Sequence, residues 1–276
     1  MNLVVLGTDI ETPVLKNLAR HSGARAIEQI DASAFRLVDT QRRDGVAELC
    51  DAAGVDFAFV PTGRRLTDFG LFVTDMDSTL IDIECIDEIA DQCGKKDQVA
   101  EITEAAMRGE IDFRESLNRR VALLEGLDAS ALDTVFRERL QLNPGARELI
   151  SALKAAGIVT VLVSGGFTYF TERLKADLGF DHAYANTLER ADGKLTGRVC
   201  GPVVDAQAKA DHLIRIRNQL DLSAERVMAA GDGANDLPMF RAAGFGVAFK
   251  AKPVLRAHAD CSLNYSGLDA VLKLFA

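Results

Sequence analysis

The sequence predicts an α/β protein: a doubly wound parallel sheet with a helical segment inserted in it, preceded by a small split-βαβ unit. Two observations carry this prediction. From residue 69 onward, apolar runs of strand length alternate with helical stretches, the pattern of a parallel sheet covered on both faces. Ahead of residue 67 the order is different, with four short strand-like runs around two short helices. At 276 residues and 48% apolar content, the chain has room for one large domain or two modest ones.

The N-terminal elements read in order as strand "NLVVLG", helix "ETPVLKNLARH", two strands within "ARAIEQIDASAFRLVD", helix "RDGVAELCDAAG" and strand "VDFAFVP". That βαββαβ order predicts a unit over residues 1–66 of the kind many binding and regulatory modules use, with the polar "TGRRLTD" as its linker. The predicted sheet domain takes residues 67–81 and 146–276. Three of its apolar runs, "FGLFVT", "IVTVLV" and "RVMAA", stop respectively at Asp75, at Ser164 followed by "GGF", and at "GDGAND". In open α/β sheets the ligand crevice lies at the carboxyl ends of the strands, so these three segments should converge.

Residues 82–145 form the predicted insertion. Val99, Ile102 and Ala106 keep helical spacing, as do Phe113, Leu117, Val121 and Leu124. Residues 82–143 hold 15 acidic and 8 basic side chains, so most of the chain's net charge of −9 lies here. Arg120 stands out against that background. Seven positions after Phe113, it returns to within about 20° of the same helix face and puts a cation in an apolar stripe.

Asp75 and Asp77 sit at the end of an apolar run, where carboxylates are costly unless something pairs with them. The turn in "DMDST" lets both face one space, and Asp232 adds a third carboxylate from another strand end. Few carboxylates with room for water and substrate oxygens suit Mg²⁺ better than zinc, and no histidine or cysteine cluster competes.

Taken together, "DMDSTLIDIECIDEIA", "LVSGGF", Lys209 in "AQAKADHL" and "GDGANDLPM" resemble the four motifs of the haloacid dehalogenase superfamily, over about residues 69–276. The stretch "AAMRGEIDFRESLNRRV" and the hairpin-like "NTLERADGKLTGRV" resemble its phosphoserine phosphatase branch. The resemblance implies a haloacid dehalogenase-like core with a helical cap, Asp75 as nucleophile and Asp77 as general acid and base. It implies Mg²⁺ on the Asp75 carboxylate, the Asp77 backbone carbonyl and Asp232. Ser164, Gly165, Gly166, Lys209 and Asn235 would serve the phosphoryl group, with Asp236 behind them. Glu84 would meet the substrate ammonium and Arg120 its carboxylate, with Met107 and Phe113 closing over the substrate. Residues 1–66 resemble the ACT-like domains that precede some such enzymes, which regulate or pair two copies. The implied reaction releases L-serine from phosphoserine, the last step of serine biosynthesis. A related phosphatase or phosphotransferase for another small metabolite, or an amino-acid sensor, are the competing readings.

Composition narrows the remaining classes. A net charge of −9 disfavours nonspecific nucleic-acid binding, which depends on Lys and Arg neutralising phosphates. Five cysteines without C-x-x-C spacing read as reduced core residues. Together with the absence of a basic leader or a membrane-length apolar run, they predict a cytoplasmic protein without a membrane partner.

Overall fold

The computed structural model describes residues 1–276. The N-terminal unit runs β1 (Asn2–Leu6), α1 (Thr12–Ser22), β2 (Ala26–Asp31), β3 (Ala34–Val38), α2 (Val46–Ala53) and β4 (Asp56–Val60). After β5 (Leu71–Thr74) come the helices of the insertion, α3 (Cys85–Asp91), α4 (Lys96–Met107), α5 (Phe113–Ala122) and α6 (Ser130–Glu138). The chain continues with α7 (Ala146–Ala155), β6 (Val159–Phe167), α8 (Thr168–Leu178), β7 (His182–Ala191), β8 (Lys194–Cys200) and α9 (Ala206–Gln219). It closes with β9 (Val227–Gly231), α10 (Leu237–Ala242), β10 (Phe245–Phe249), α11 (Pro253–Arg256), β11 (Cys261–Leu263) and α12 (Ala270–Leu274).

All eleven strands belong to one sheet, ordered β2-β3-β1-β4-β11-β10-β9-β5-β6-β7-β8. Its centre is parallel: β5 lies between β9 and β6, and β10 between β9 and β11. Every residue of β5, β9 and β10 is buried, which is why these strands read as unbroken apolar runs: helices cover both faces. The N-terminal strands are antiparallel, with β1 between β3 and β4, so the β1-α1-β2 crossover is split by β3.

The N-terminal unit joins the sheet through a strand pair. β4 runs antiparallel to β11, with Ala58 opposite Cys261 and Phe57 opposite Ser262. The buried Asp56 carboxylate fixes that register by accepting from the N–H groups of Asn264 (2.7 Å), Tyr265 (3.1 Å) and Ser266 (2.8 Å). Phe69, Phe245 and Phe275 meet edge to face beside the junction, at centroid distances of 5.0 to 6.0 Å. The expected linker is ordered: residues Leu66–Asp68 form a short 3₁₀ turn, and Arg226 donates to the Asp68 carbonyl.

Two local expectations need correction. The strand expected to end at Ser164 runs on through "SGGF" to Phe167 and shifts register on the way, and α8 starts only at Thr168. The cysteines are all unbonded, but only Cys50, Cys85 and Cys261 are buried, while Cys200 is exposed. No helix is long and apolar enough to cross a membrane.

The insertion leaves and re-enters the core through a paired stalk. Ile81 bridges Leu142, and the buried Asn143 side chain donates to the carbonyls of Thr79 and Ile81, both at 2.9 Å. Its far end rests on the β7–β8 hairpin, whose Asp192-Gly193 turn has both φ angles positive, as a two-residue hairpin loop requires. Gly126 and Leu195 exchange backbone bonds with this contact, the Gly126 N–H donating to Leu195 and the Leu195 N–H to Leu127. That contact seats α5, the helix carrying Arg120, over the carboxyl ends of the central strands.

Candidate active site

Three strand ends meet in the space beneath the insertion, as the carboxyl-end rule requires. They line a cavity of about 740 Å³ with Asp75 and Asp77 after β5, Ser164, Gly165 and Gly166 of β6, and Asp232 and Asn235 after β9. The insertion contributes Glu84, Met107, Phe113 and Arg120 to the same cavity. Lys209 and Asp236 lie behind this wall, almost fully buried.

Asp75 is 3% exposed and tightly held. Its Oδ1 accepts from the Met76 N–H at 2.7 Å, and its Oδ2 lies 2.5 Å from Lys209 Nζ and 3.3 Å from Asn235 Nδ2. Lys209 also donates to Asp236 Oδ1 at 2.9 Å, so one ammonium bridges two carboxylates. Burial opposes its charge, but Asp236 and Asp75 outweigh burial and keep Lys209 protonated. Burial likewise pushes the Asp75 carboxyl well above its usual range, with Lys209 opposing and Asp236 adding to the rise. Breaking such a buried pair from one side leaves an uncompensated charge, a cost limited here because Lys209 keeps one carboxylate when the other is lost. Asp236 completes the set by accepting from the N–H groups of Asp232 and Gly233, beside a Gly231 whose added Cβ would lie 2.4 Å from its carboxylate.

Asp77 faces the same space from two residues on. Ser78 takes a left-handed φ of 56°, a conformation uncommon outside glycine, and the reversal brings the start of α3 back to Asp77. Asp77 Oδ1 accepts from the Cys85 N–H at 2.9 Å and Oδ2 from Ser164 Oγ at 3.1 Å. Burial raises its carboxyl, and these donors only partly offset the effect. The approach of β6 is so close that a Cβ on Gly166 would sit 2.5 Å from Asp77 Oδ2, so a larger residue there would displace the Asp77 carboxylate. The Gly166 N–H meanwhile donates to Ser164 Oγ at 2.8 Å.

Among the carboxylates at the strand ends, Asp232 is the one without a donor. Its backbone N–H is bonded to Asp236, yet no hydrogen bond reaches its side chain, and burial with Asp236 nearby raises it to about 6. Carboxylate oxygens of Asp75, Asp232 and Asp236 lie within 4.8 Å of one another, a group able to hold a cation. The Asp77 side chain is outside that group, its oxygens being taken by Cys85 and Ser164, while its backbone carbonyl accepts no hydrogen bond.

On the insertion side, Glu84 accepts from Ser78 Oγ at 2.7 Å, and burial and Asp77 push its carboxyl up to about 7. Arg120 has no ion-pair partner: its one hydrogen bond is a long 3.4 Å contact from Nε to the Ser116 carbonyl, and burial lowers its pKa against the pull of Asp87 and Glu84. Phe113 is half-buried, whereas Met107 is 66% exposed at the cavity edge. Sequence reasoning missed Asp87, Ser116, Lys252 and Val254, which also line the cavity. Asp87 lies one helical turn after Glu84 and Lys252 just beyond the carboxyl end of β10, so both were open to the same spacing and strand-end rules that found the others.

A parallel sheet with a buried carboxylate at a strand end, a buried lysine bridging it to a second carboxylate and a capping insertion defines the class. The chain belongs to the haloacid dehalogenase-like hydrolase family, whose model matches residues 72–241, and residues 3–46 match a domain of unknown function, DUF4072. Its relatives within that family include phosphoserine phosphatases. The phosphoserine phosphatase of Polaromonas sp. is 52% identical over 215 residues, covering 76% of this chain and 91% of the relative. The unliganded structure of a probable phosphoserine phosphatase from Vibrio cholerae superposes with a TM-score of 0.87 at 39% identity, over 99% of this chain and 86% of that one. A phospho-aspartyl intermediate analogue of phosphoserine phosphatase matches with a TM-score of 0.70 at 41% identity, over 75% of this chain and 99% of the other.

Proposed function

We propose that this chain is a Mg²⁺-dependent phosphoserine phosphatase, releasing L-serine and phosphate through a phosphorylated Asp75. The observation that carries the reading is the pairing in one cavity of an unpartnered guanidinium, Arg120, and a carboxylate, Glu84, across from the Asp75 centre. An amino acid esterified to phosphate presents the complementary set: a carboxylate for Arg120, which can bind it bidentately, an ammonium for Glu84 and a phosphoryl group for Asp75.

In the first step Asp75, whose ion pair with Lys209 supports the carboxylate form against burial, attacks phosphorus and the bond to the seryl oxygen breaks. That oxygen leaves with the bonding electrons and takes a proton from Asp77, whose burial favours the protonated form before turnover. In the second step Asp77 takes a proton from the incoming water, the new bond to phosphorus forms, and Asp75 departs as a carboxylate. The transferring phosphoryl spreads its charge over three oxygens, and Ser164, Asn235, the Gly165 and Gly166 N–H groups and the Lys209 ammonium are the donors grouped around it. The Gly166 N–H is bonded to Ser164 Oγ in the free protein, so it changes partner when the phosphoryl arrives.

Asp75 and Asp232, with the open Asp77 carbonyl, would hold Mg²⁺; the donorless Asp232 carboxylate is the feature that fits a hard cation. When bound, the ion neutralises charge on the phosphoryl oxygens. The five unbonded thiols accord with a reducing, cytoplasmic setting.

Phosphate release over a panel of phosphorylated metabolites, with Mg²⁺ present and with it chelated, tests the reading. Phosphoserine should lead the panel and chelation should stop turnover; preference for a phosphate ester lacking either the ammonium or the carboxylate would sink the assignment.

A further inference from the structure

We propose that Lys252 draws the phosphate end of the substrate into the cavity, a binding role that rests on the phosphomonoester reading above. The cavity wall carries five carboxylates, Asp75, Asp77, Glu84, Asp87 and Asp232, against two cations, Arg120 and Lys252. An anionic substrate thus approaches a net negative wall on a chain whose own charge is −9. Lys209 does nothing for that approach, because it is 1% exposed and bridged between Asp75 and Asp236. Arg120 sits on the insertion, where the substrate carboxylate binds. Lys252 is the cation left for the phosphate side.

The backbone aims it there. β10 ends at Phe249, and Lys250 takes a left-handed φ of 43° while its N–H donates to the Leu263 carbonyl at 2.7 Å. A non-glycine residue held in that region signals a constraint imposed by its surroundings. The reversal brings the Lys252 N–H to the Asp232 carbonyl at 2.8 Å. Pro253, at the first position of α11, then restricts Lys252 to its extended conformation, φ −63° and ψ 149°. The Lys252 backbone is therefore locked to the loop that bears Asp232, while its side chain is exposed at the cavity mouth.

That side chain is also free. Lys96 pairs with Glu88 and Lys273 with Asp31, but no carboxylate stands within ion-pair distance of Lys252. An exposed cation free of any direct ion pair, at the mouth of an acidic cleft, raises the local concentration of anionic substrate, and the effect fades as salt screens it.

The test is Lys252→Ala, with Lys252→Arg as the charge-preserving control, in steady-state hydrolysis of phosphoserine and of p-nitrophenyl phosphate at low and high salt. Expected is a five- to thirty-fold loss of kcat/KM at low ionic strength, on the order of known steering effects. The loss should shrink at high ionic strength, lie in KM rather than kcat, and be recovered by Lys252→Arg. Should the alanine variant melt early, Lys252→Gln, which keeps the stem, takes its place. A kcat/KM close to that of the parent protein at low salt, or a loss equal at both salt concentrations, overturns the proposal. The second substrate separates the two claims, since p-nitrophenyl phosphate carries the phosphate without the amino acid. A parent protein that hydrolyses it and ignores phosphoserine overturns the phosphoserine reading, and the salt-dependent loss on p-nitrophenyl phosphate still decides Lys252.

Discussion

Arg120→Ala should separate recognition from chemistry. In the free protein the guanidinium is half-buried, makes one long hydrogen bond to Ser116 and has no carboxylate within ion-pair distance, so it contributes little to holding the fold. Burial lowers its pKa, but a guanidinium keeps its charge, so an arriving anion meets a cation with no ion-pair partner. Removing it should leave the unfolding free energy within about 1 kcal/mol of the parent, as for a polar residue outside any buried network. The bound state differs. There the guanidinium faces a carboxylate in a partly desolvated cavity, and truncating one side of such a pair costs about 2 to 5 kcal/mol. At 1.36 kcal/mol per decade this is a loss of roughly 30- to 5,000-fold in kcat/KM for phosphoserine. An aryl phosphate has no carboxylate to lose, so its kcat/KM should change by less than a few-fold. The assay is phosphate release on both substrates, with a denaturant melt of each protein. Equal losses on the two substrates, or a variant destabilised by several kcal/mol, would show that Arg120 acts as a structural arginine and would refute the argument.

Asp75→Asn should keep the fold and lose turnover, because the amide keeps the shape but is a poor nucleophile; residual phosphate release above about a hundredth of the parent rate, a loss under roughly 2.7 kcal/mol, would exclude Asp75 as nucleophile. The raised Glu84 carboxyl is neutral below about pH 7 and anionic above it, so kcat/KM for phosphoserine should rise as pH passes upward through 7. Glu84→Gln should lower the value and erase that inflection, and a pH profile of both proteins checks it. A chain starting at Thr67 should fold and retain kcat, since a solved relative matches 75% of this chain over 99% of its own. It should also gain a tendency to self-associate, because β11 becomes an open edge. Activity and mass in solution test both halves, and an insoluble or inactive product would show that residues 1–66 are obligatory for the rest.

The convergence of the candidate site was legible because its residues are local to strand ends. "DMDST", "SGGF" and "GDGAND" each follow an apolar run, and one topological rule brings them together. What stayed hidden depends on partners far along the chain. "SGGF" looks like a turn into a helix, but Asn186, about twenty residues later, donates to the Gly165 carbonyl and holds the segment extended as part of β6. Asp232 and Asp236 sit four residues apart in one motif, yet only the structure gives one to Lys209 and leaves the other without a donor. The β4–β11 pairing joins segments some two hundred residues apart through a three-residue strand, "CSL", too short to announce itself, and through an Asp56 that the sequence offers as an ordinary strand-start aspartate.

That pairing changes what kind of attachment the first sixty residues have. A module on a tether samples many orientations, and its length of leash is what selection can tune. A module hydrogen-bonded along a strand has one seating, because a slip of a single residue turns every side chain to the opposite face and withdraws Asp56 from the three N–H groups it serves. The unit can therefore neither swing toward the cavity as a lid nor drift from it as a free sensor. Its most direct route of influence on the strands that bear the site is twist or shear through β11 and β10, the strand whose end turns back to meet the Asp232 loop, beside the ion pair of Asp31 with Lys273 on α12. Exchanging this unit for another would demand a matching strand edge, and no adjustment of the connecting segment could substitute for it.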